Sequence, residues 1–456
     1  MRKILLAIAL CIVLPTSAYC ALSSSTAWEV RTNGNNNNGG GFVTGGSGTD
    51  YSQQDSAEYT ATDLEINSGD NTIVGSATHS FIASDVDNLM QITAGTGFTP
   101  GFYQIYSVSG GSATLDRACG TVESTGGTYA VGGALRNIDY HHLVMVAGNT
   151  TWIKADATYS RSSYIDLNDV AGTNALPLSF TGYTTTRGDG GQATISFTAG
   201  NYYIYAFNDY INMSNLIITG STTTRLMQTK EFFQGRNLKL VQGTSSAIAV
   251  QVLEDNNVFI DCEFSAPSGT CIETGVGATF FHRFVGCYFH DSSLGISEAD
   301  YASDIINCIF DTCTKAVVIR RWGNVIGSTF YNGTTAIEIA TGTAAVRAII
   351  LNNIFHTFTN GINEIDTIGT HIFDYNNYYT ITNKTTNTPI GANSIELDPE
   401  FTDAPNGDFS VGDNMKAVGF PGTYPGGLST GYLDIGAVQR EEPASGGGET
   451  SYGFIN

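Results

Sequence analysis

The sequence predicts an all-β protein whose body is a right-handed parallel β-helix, a solenoid of about 10–12 coils, with a small β-rich domain or cap on its N-terminal side. Composition is the first ground for this. The chain holds 53 Gly, 24 Phe and 23 Tyr beside only 14% charged residues, and helical periodicity is scarce. Such a chain suits many short strands joined by tight turns. The second ground is a short apolar phrase that recurs from residue 215 onward. It ends on Ile218, Leu240, Phe264, Phe289, Phe310, Phe330, Phe355 and Tyr379, at intervals of 20 to 25 residues. A second beat follows most of these by seven or eight residues, at Ile248, Ile272, Ile296, Val317, Ile337 and Ile362.

The chain opens with Arg2 and Lys3, an apolar run over 4–14 and the stretch Pro15-Thr16-Ser17-Ala18. These are the parts of a secretory signal peptide, too short to cross a bilayer. Cleavage after Ala18 is expected, since Tyr19 before Cys20 stands where a lipoprotein signal needs a small residue. The mature chain is therefore expected to be secreted and extracellular, without a membrane span. Residues 19–60 are rich in Gly, Asn and Ser and read as flexible backbone or long loops. Over 61–136, alternation such as Phe102-Tyr103-Gln104-Ile105-Tyr106-Ser107-Val108, then Gly110-Gly111, predicts the small β domain. Placed as a cap, it would cover the strand edges at the open end of the solenoid. The β-helix itself is assigned to 137–440 and a disordered tail to 441–456.

Each repeat supplies short strands that cannot bury their inner face alone. Stacking them in parallel, about 4.8 Å apart, pairs each backbone group with the neighbouring coils and lays like side chains on like. Phe264, Phe289, Phe310, Phe330, Phe355 and Tyr379 are thus expected to form one internal aromatic stack. Two residues earlier, Cys262, Cys287 and Cys308 should stack, followed by Ser328, Asn353 and Asn377. One residue earlier again, Asp261, Gly286, Asn307, Gly327, Asn352 and Asn376 are expected in a left-handed turn. The three cysteines read either as buried thiol packing or as disulfide partners on neighbouring coils.

The formal charge of −22, from 42 acidic and 20 basic residues, argues against nucleic acid as a partner. Such a surface is compatible with neutral glycans, with Ca²⁺ or with a saline habitat. The histidines and cysteines show no paired ligand spacing, so no metal site is expected from them. No cofactor is indicated beyond the Ca²⁺ that acidic groups could bridge.

The Asn-Asn-x-Phe and Gly-Ile beats resemble the pectate-lyase-like (pectin-lyase-fold) family of right-handed parallel β-helix proteins, secreted type. Gly148-Asn149-Thr150-Thr151-Trp152-Ile153-Lys154-Ala155 before Tyr159 is similar to the first coil of secreted members. Thr181-Gly182-Tyr183 with Arg187-Gly188-Asp189-Gly190 resembles the next turn. Leu397-Asp398-Pro399-Glu400-Phe401-Thr402-Asp403, Gly407-Asp408-Phe409 and Asp434-Ile435-Gly436-Ala437 resemble the closing phrases. The resemblance spans about residues 137–440. It implies the fold and leaves activity open among lyases, hydrolases, adhesins, phage spikes and proteins with no known catalysis.

The resemblance also implies a glycan cleft along the outer face of the sheet that precedes the Asn turn. Two outer columns are expected there. One is Ile260, Val285, Ile306, Ile326, Leu351 and Tyr375; its aliphatic character suggests cover by a loop, by the N-terminal domain or by a second copy in a homo-oligomer. The other is Val258, Arg283, Asp304, Asn324, Ile349 and Phe373, with Glu298, Asp300, Arg320, Arg321 and Trp322 in the loops just before. Lyase chemistry needs a cation on the uronate carboxylate and a base for the C5 proton, and hydrolysis needs two carboxylates. The candidate catalytic set for either is Arg283, Asp304, Asp300 and Glu298. Against it stands an ordinary surface ion pair, and no catalytic motif of the family falls on these positions. The leading reading is therefore a secreted surface or adhesion protein rather than an enzyme. It would bind a polysaccharide or cell-surface glycan through Trp322, Arg320, Arg321, Asn324 and Tyr375. The alternatives are a polysaccharide lyase or glycoside hydrolase, and a structural or phage-spike-like oligomeric scaffold.

Overall fold

The structure is a computed structural model that describes residues 22–198, 200–222, 224–243, 246–275, 281–297, 303–340, 346–365, 369–416, 418–420 and 433–439. The expected signal peptide, the tail at 441–456, Glu298 and Asp300 lie outside the described residues.

Each regular coil consists of a short strand, a two-residue turn and a long strand. Ser303–Ile306, Trp322–Ile326 and Arg347–Leu351 are successive short strands, and Ile309–Ile319, Thr329–Ile339 and Ile354–Glu364 are the long ones that follow them. Their β-branched and aromatic residues alternate with polar ones, which suits a strand buried on one face. The short strands pair in parallel, with Phe259, Phe284, Ile305, Val325 and Ile350 in register along the inside. The parallel solenoid has about seven turns. Towards the N-terminus the same sheet continues through Ile211–Gly220, Leu178–Tyr183, Thr150–Lys154 and Thr26–Val30.

Repetition makes the core. The rings of Phe264, Phe289, Phe310, Phe330 and Phe355 stack at centroid distances of 5.0, 4.7, 4.8 and 5.1 Å. Beside them Cys262, Cys287 and Cys308 are free and buried. The column goes on in hydrogen bonds: the Cys308 amide donates to Ser328 Oγ (3.2 Å) and the Ser328 amide to Asn353 Oδ1 (2.8 Å). Asp261, Gly286, Asn307, Gly327 and Asn352 hold the left-handed turn with φ between 52° and 63°.

The last coil is set one residue earlier than the sequence pattern predicts. Tyr378, not Tyr379, stacks on Phe355 at 5.1 Å. Tyr375, at φ 53°, occupies the left-handed turn expected of Asn376. Asn376 in turn takes the ladder position expected of Asn377, its Oδ1 accepting from the Asn353 amide at 3.0 Å. On the outer face Asp374 therefore continues the aliphatic column in place of Tyr375, and Ile372 continues the polar column in place of Phe373. Adjacent identical pairs, Asn376-Asn377 and Tyr378-Tyr379, satisfy the phrase in either register. The observed one buries Phe373, as a strand with one core face requires. Ile248 is displaced similarly: Val250 pairs with Ile272, while Ile248 pairs with Thr270 and faces outward.

The N-terminal region holds a closed antiparallel domain of six strands between Tyr59 and Val131. Leu64, Val74, Met90, Ile92, Ile105 and Val131 form its own core. The Gly/Asn-rich stretch before it is not loose backbone. Thr26–Val30 pairs with Gly41–Val43 and lies parallel on Thr150–Lys154, as the first strand of the solenoid sheet. Trp28 is fully buried there, its ring stacked on His141 at 4.6 Å. The glycines have a packing role: a Cβ on Gly34 or Gly39 would come within 2.3 Å of the Leu135 carbonyl or 2.0 Å of the Leu89 carbonyl. Close backbone approach, not flexibility, accounts for them.

Candidate functional site

The sheet of short strands carries the expected polar ladder on its outer face. Because Phe284, Ile305 and Val325 point inward, Arg283, Asp304 and Asn324 point out on three successive coils. Arg283 Nη2 lies 3.4 Å from Asp304 Oδ2, and Asn324 Nδ2 donates to Asp304 Oδ1 at 2.8 Å. The Asp304 carboxylate is thus shared between a cation and an amide, all open to solvent on one side. Trp322 heads the strand that carries Asn324, 45% exposed, with the Arg347 guanidinium 5.9 Å from its ring centroid. Arg320 is exposed and Arg321 half-buried at the corner just before it. Tyr375 does not join them. Its ring meets Phe420 edge-on at 5.4 Å beside the left-handed turn.

Next to the ladder opens a cavity of about 220 Å³, lined by Asn256, Val258, Phe281, His282, Arg283 and Asp304. His282 is almost fully buried, and neither ring nitrogen has a hydrogen-bond partner among the described residues. Burial pushes its pKa down to about 4, so the imidazole is neutral near pH 7. Phe281 is 62% exposed and adopts a left-handed φ of 62°. Sequence reasoning missed both residues because they precede the repeated phrase. The registered positions on earlier coils are Tyr210, Phe232 and Asn256, which the structure shows to be left-handed as well.

The aliphatic column Ile260, Val285, Ile306, Ile326 and Leu351 is half-buried. The chain's own C-terminal segment closes against the turn that borders it. The Phe420 amide donates to Asn352 Oδ1 (2.5 Å) and the Gly436 amide to the Asn352 carbonyl (2.8 Å). Met415 and Ile435 pack on Ile354.

A second polar cluster, also missed, sits on the outer face of the long strands. Glu263 accepts from Lys239 Nζ at 2.7 Å and lies 3.1 Å from His290 Nε2, while His290 Nδ1 lies 2.9 Å from Asp291. The hydrogen bond to His290, helped by Lys239, holds the Glu263 carboxyl below its usual pKa. Burial works against the charged imidazole of His290, but Glu263 and Asp291 outweigh it and raise its pKa. The visible signal was the alternation with Phe264 and Phe289 on the inner face.

Among the described residues, no group of three or more His, Cys, Asp or Glu side chains is arranged to hold a metal ion. No helix among them is long and apolar enough to cross a membrane.

No model of a known protein family matches the sequence, and no curated protein matches it. Solved structures with a similar chain path include the pectate lyase Pel9A, with 13% identity and a TM-score of 0.49 over 68% of this chain and 92% of that one. A PL6 family polysaccharide lyase from Pseudopedobacter saltans has 12% identity and a TM-score of 0.38 over 59% of this chain and 78% of its own. The catalytic domain of a GH87 α-1,3-glucanase has 11% identity and a TM-score of 0.30, covering 75% and 86%. Likenesses at this identity and TM-score carry no activity across to this chain.

Proposed function

We propose that this protein is a secreted surface protein that binds a polysaccharide or cell-surface glycan on the outer face of its short-strand sheet. The observation that carries the reading is the outward-facing, hydrogen-bonded ladder of exposed Arg283 and half-buried Asp304 and Asn324, beside the exposed ring of Trp322. Planar polar groups repeated at the coil spacing of about 4.8 Å offer donors and acceptors to the hydroxyls of a sugar chain. The indole ring offers an apolar plane with a polar edge, suited to a ligand that is wet on one side. Arg283 and Asp304 largely cancel each other's charge, which suits recognition more than proton transfer. Their ion pair occupies the guanidinium of the ladder itself, while Arg320 and Arg347 lie exposed near Trp322.

The test is binding to a panel of soluble neutral and uronic polysaccharides, by affinity electrophoresis and calorimetry, for the native chain and for Asp304→Ala, Asn324→Ala and Trp322→Ala. Retardation by at least one glycan, weakened tenfold or more by these substitutions, is the expected result. Binding that survives all three would sink the site. The same samples assayed for unsaturated products or new reducing ends address the lyase and hydrolase alternatives. Turnover abolished by Arg283→Ala or Asp304→Ala would replace the binding reading with an enzymatic one.

A further inference from the structure

The cavity at the head of the polar ladder has features that packing alone does not explain. A buried imidazole with two unpartnered nitrogens is costly, because each lost hydrogen bond to water goes uncompensated. Natural interiors avoid this, yet His282 lines a space of about 220 Å³ rather than a filled core. The remaining walls are mixed in a particular way. Phe281 and Val258 are apolar, Asn256 is a neutral amide, and Arg283 and Asp304 present their paired charges at the rim. Small-ligand sites combine apolar walls with a few convergent polar groups in this manner. The cavity belongs to the outer face bearing the ladder, since Arg283 and Asp304 take part in both.

We propose that this cavity is a subsite for a single neutral sugar unit, with Phe281 as the apolar wall and His282 as the buried hydrogen-bonding partner. The inference rests on the glycan-binding reading above and narrows it to a chemical class. A neutral imidazole carries one donor and one acceptor nitrogen, which matches a hydroxyl that both accepts and donates. The rim adds a guanidinium donor and a carboxylate acceptor side by side, a pair that neighbouring sugar hydroxyls can bridge. An acidic sugar fits poorly. Its carboxylate would have to displace Asp304 from Arg283, in a protein whose formal charge is already −22.

The experiment uses the whole secreted chain, labelled with ¹⁵N, titrated separately with a neutral oligosaccharide series and with uronic oligosaccharides of equal length. Long-range ¹H–¹⁵N spectra follow the His282 ring, assigned with His282→Gln. The expected result is binding of a neutral member that shifts the His282 ring nitrogens, and a fall in affinity of about tenfold or more in Phe281→Ala. Phe281 is mostly solvent-exposed, so that variant is expected to keep the native melting temperature and spectrum. Should His282→Gln fail to fold, the ring resonances remain assignable by elimination among the seven histidines in Phe281→Ala and the native chain. Neutral glycan binding that leaves His282 unshifted and is untouched by Phe281→Ala, yet is lost in Asn324→Ala or Trp322→Ala, overturns the subsite and leaves the broader reading standing. Binding of uronic oligosaccharides alone overturns the neutral class. Binding of neither overturns both.

Discussion

At its N-terminal end the solenoid is joined to the rest of the chain by a buried ionic cluster, whereas its later coils are held by stacks of like side chains. Glu29, fully buried, lies 2.9 Å from Arg31 Nε and 2.7 Å from Arg187 Nη2. The Tyr183 hydroxyl donates to the same carboxylate, and Arg187 reaches on to Asp50 and Ser52, each at 2.9 Å. Three stretches remote in sequence meet there: the first strand, the segment around Asp50 and the turn that follows Tyr183. That turn is pre-shaped by Asp189, which accepts from the amides of Thr185, Gly191, Thr186 and Thr184, and these bonds drive its carboxyl well below the ordinary range. The difference follows from the architecture. A repeat can hold its neighbour by like-on-like packing, but the first coil has no predecessor among the described residues, so a unique set of contacts must define where stacking begins. Buried charges serve this badly unless every one is matched, and that condition makes them selective for one arrangement.

The largest loss of stability is expected at Glu29. Glu29→Ala removes the carboxylate shared by buried Arg31 and half-buried Arg187, and a loss of about 3–5 kcal/mol is expected. Chemical denaturation measures the total, and hydrogen exchange should place the damage at Thr150–Lys154 rather than in the later coils. Next in size is Phe310→Ala, in the middle of the aromatic stack, expected to cost about 3–4 kcal/mol through lost burial and an unfilled cavity. Its loosening should centre on the coils on either side of it. Equal, chain-wide loosening in both variants would show that the two regions do not differ as argued.

These two regions also differed in how far the sequence revealed them. The inner column was readable because each coil restates it, so that Phe264 through Phe355 and the cysteine ladder follow from stride alone. The outward direction of Arg283, Asp304 and Asn324 came from the same count of residues. The count slipped where Asn376-Asn377 and Tyr378-Tyr379 allow two registers, and only the burial of Phe373 separates them. Glu29 and Arg187 carry no period at all, being 158 residues apart, and the Asn- and Gly-rich sequence beside Glu29 resembles a linker. The tight carbonyl contacts at Gly34 and Gly39 are a tertiary fact that composition does not encode. His282 was hidden for a related reason: its ring nitrogens have no hydrogen-bond partner among the described residues, which only the surrounding space reveals.

Within the ladder, the change from thiol to amide is a milder version of the same contrast. Asn353 Nδ2 donates to the Val325 carbonyl (2.9 Å) and to Asn376 Oδ1 (3.0 Å), while its Oδ1 accepts from the Ser328 amide. Asn353→Ala strands a buried amide and a buried carbonyl, for an expected loss of about 2 kcal/mol by urea denaturation. The Lys239–Glu263–His290 cluster outside the coils should contribute less, and in a pH-dependent way. Glu263, with a lowered pKa, stabilises the fold above the ordinary carboxylate range, and this is lost as pH falls through the lowered value. His290, with a raised pKa, stabilises fully below the ordinary imidazole value of about 6.5 and loses that contribution as pH rises through the raised one. A shallow stability maximum of roughly 0.5 kcal/mol on the acidic side of neutrality is expected after allowance for solvent screening. It should flatten in melting curves of His290→Gln.

The smallest effect on stability is expected at Arg283. The Arg283–Asp304 contact is 3.4 Å long between a largely exposed and a half-buried side chain, so it belongs neither to the ionic closure nor to the stacked core. Arg283→Ala should change unfolding free energy by only a few tenths of a kcal/mol, roughly the scale of exposed ion pairs. Binding should respond in the opposite proportion, because the same side chain borders both the ladder and the cavity beside His282. Denaturation and glycan titration on one preparation of this variant measure the two quantities together. A variant that keeps its stability and loses the glycan places recognition on a face the fold does not need. A variant that loses stability instead would make Arg283 part of the scaffold, and the ladder would then have to be read as a structural seam between coils.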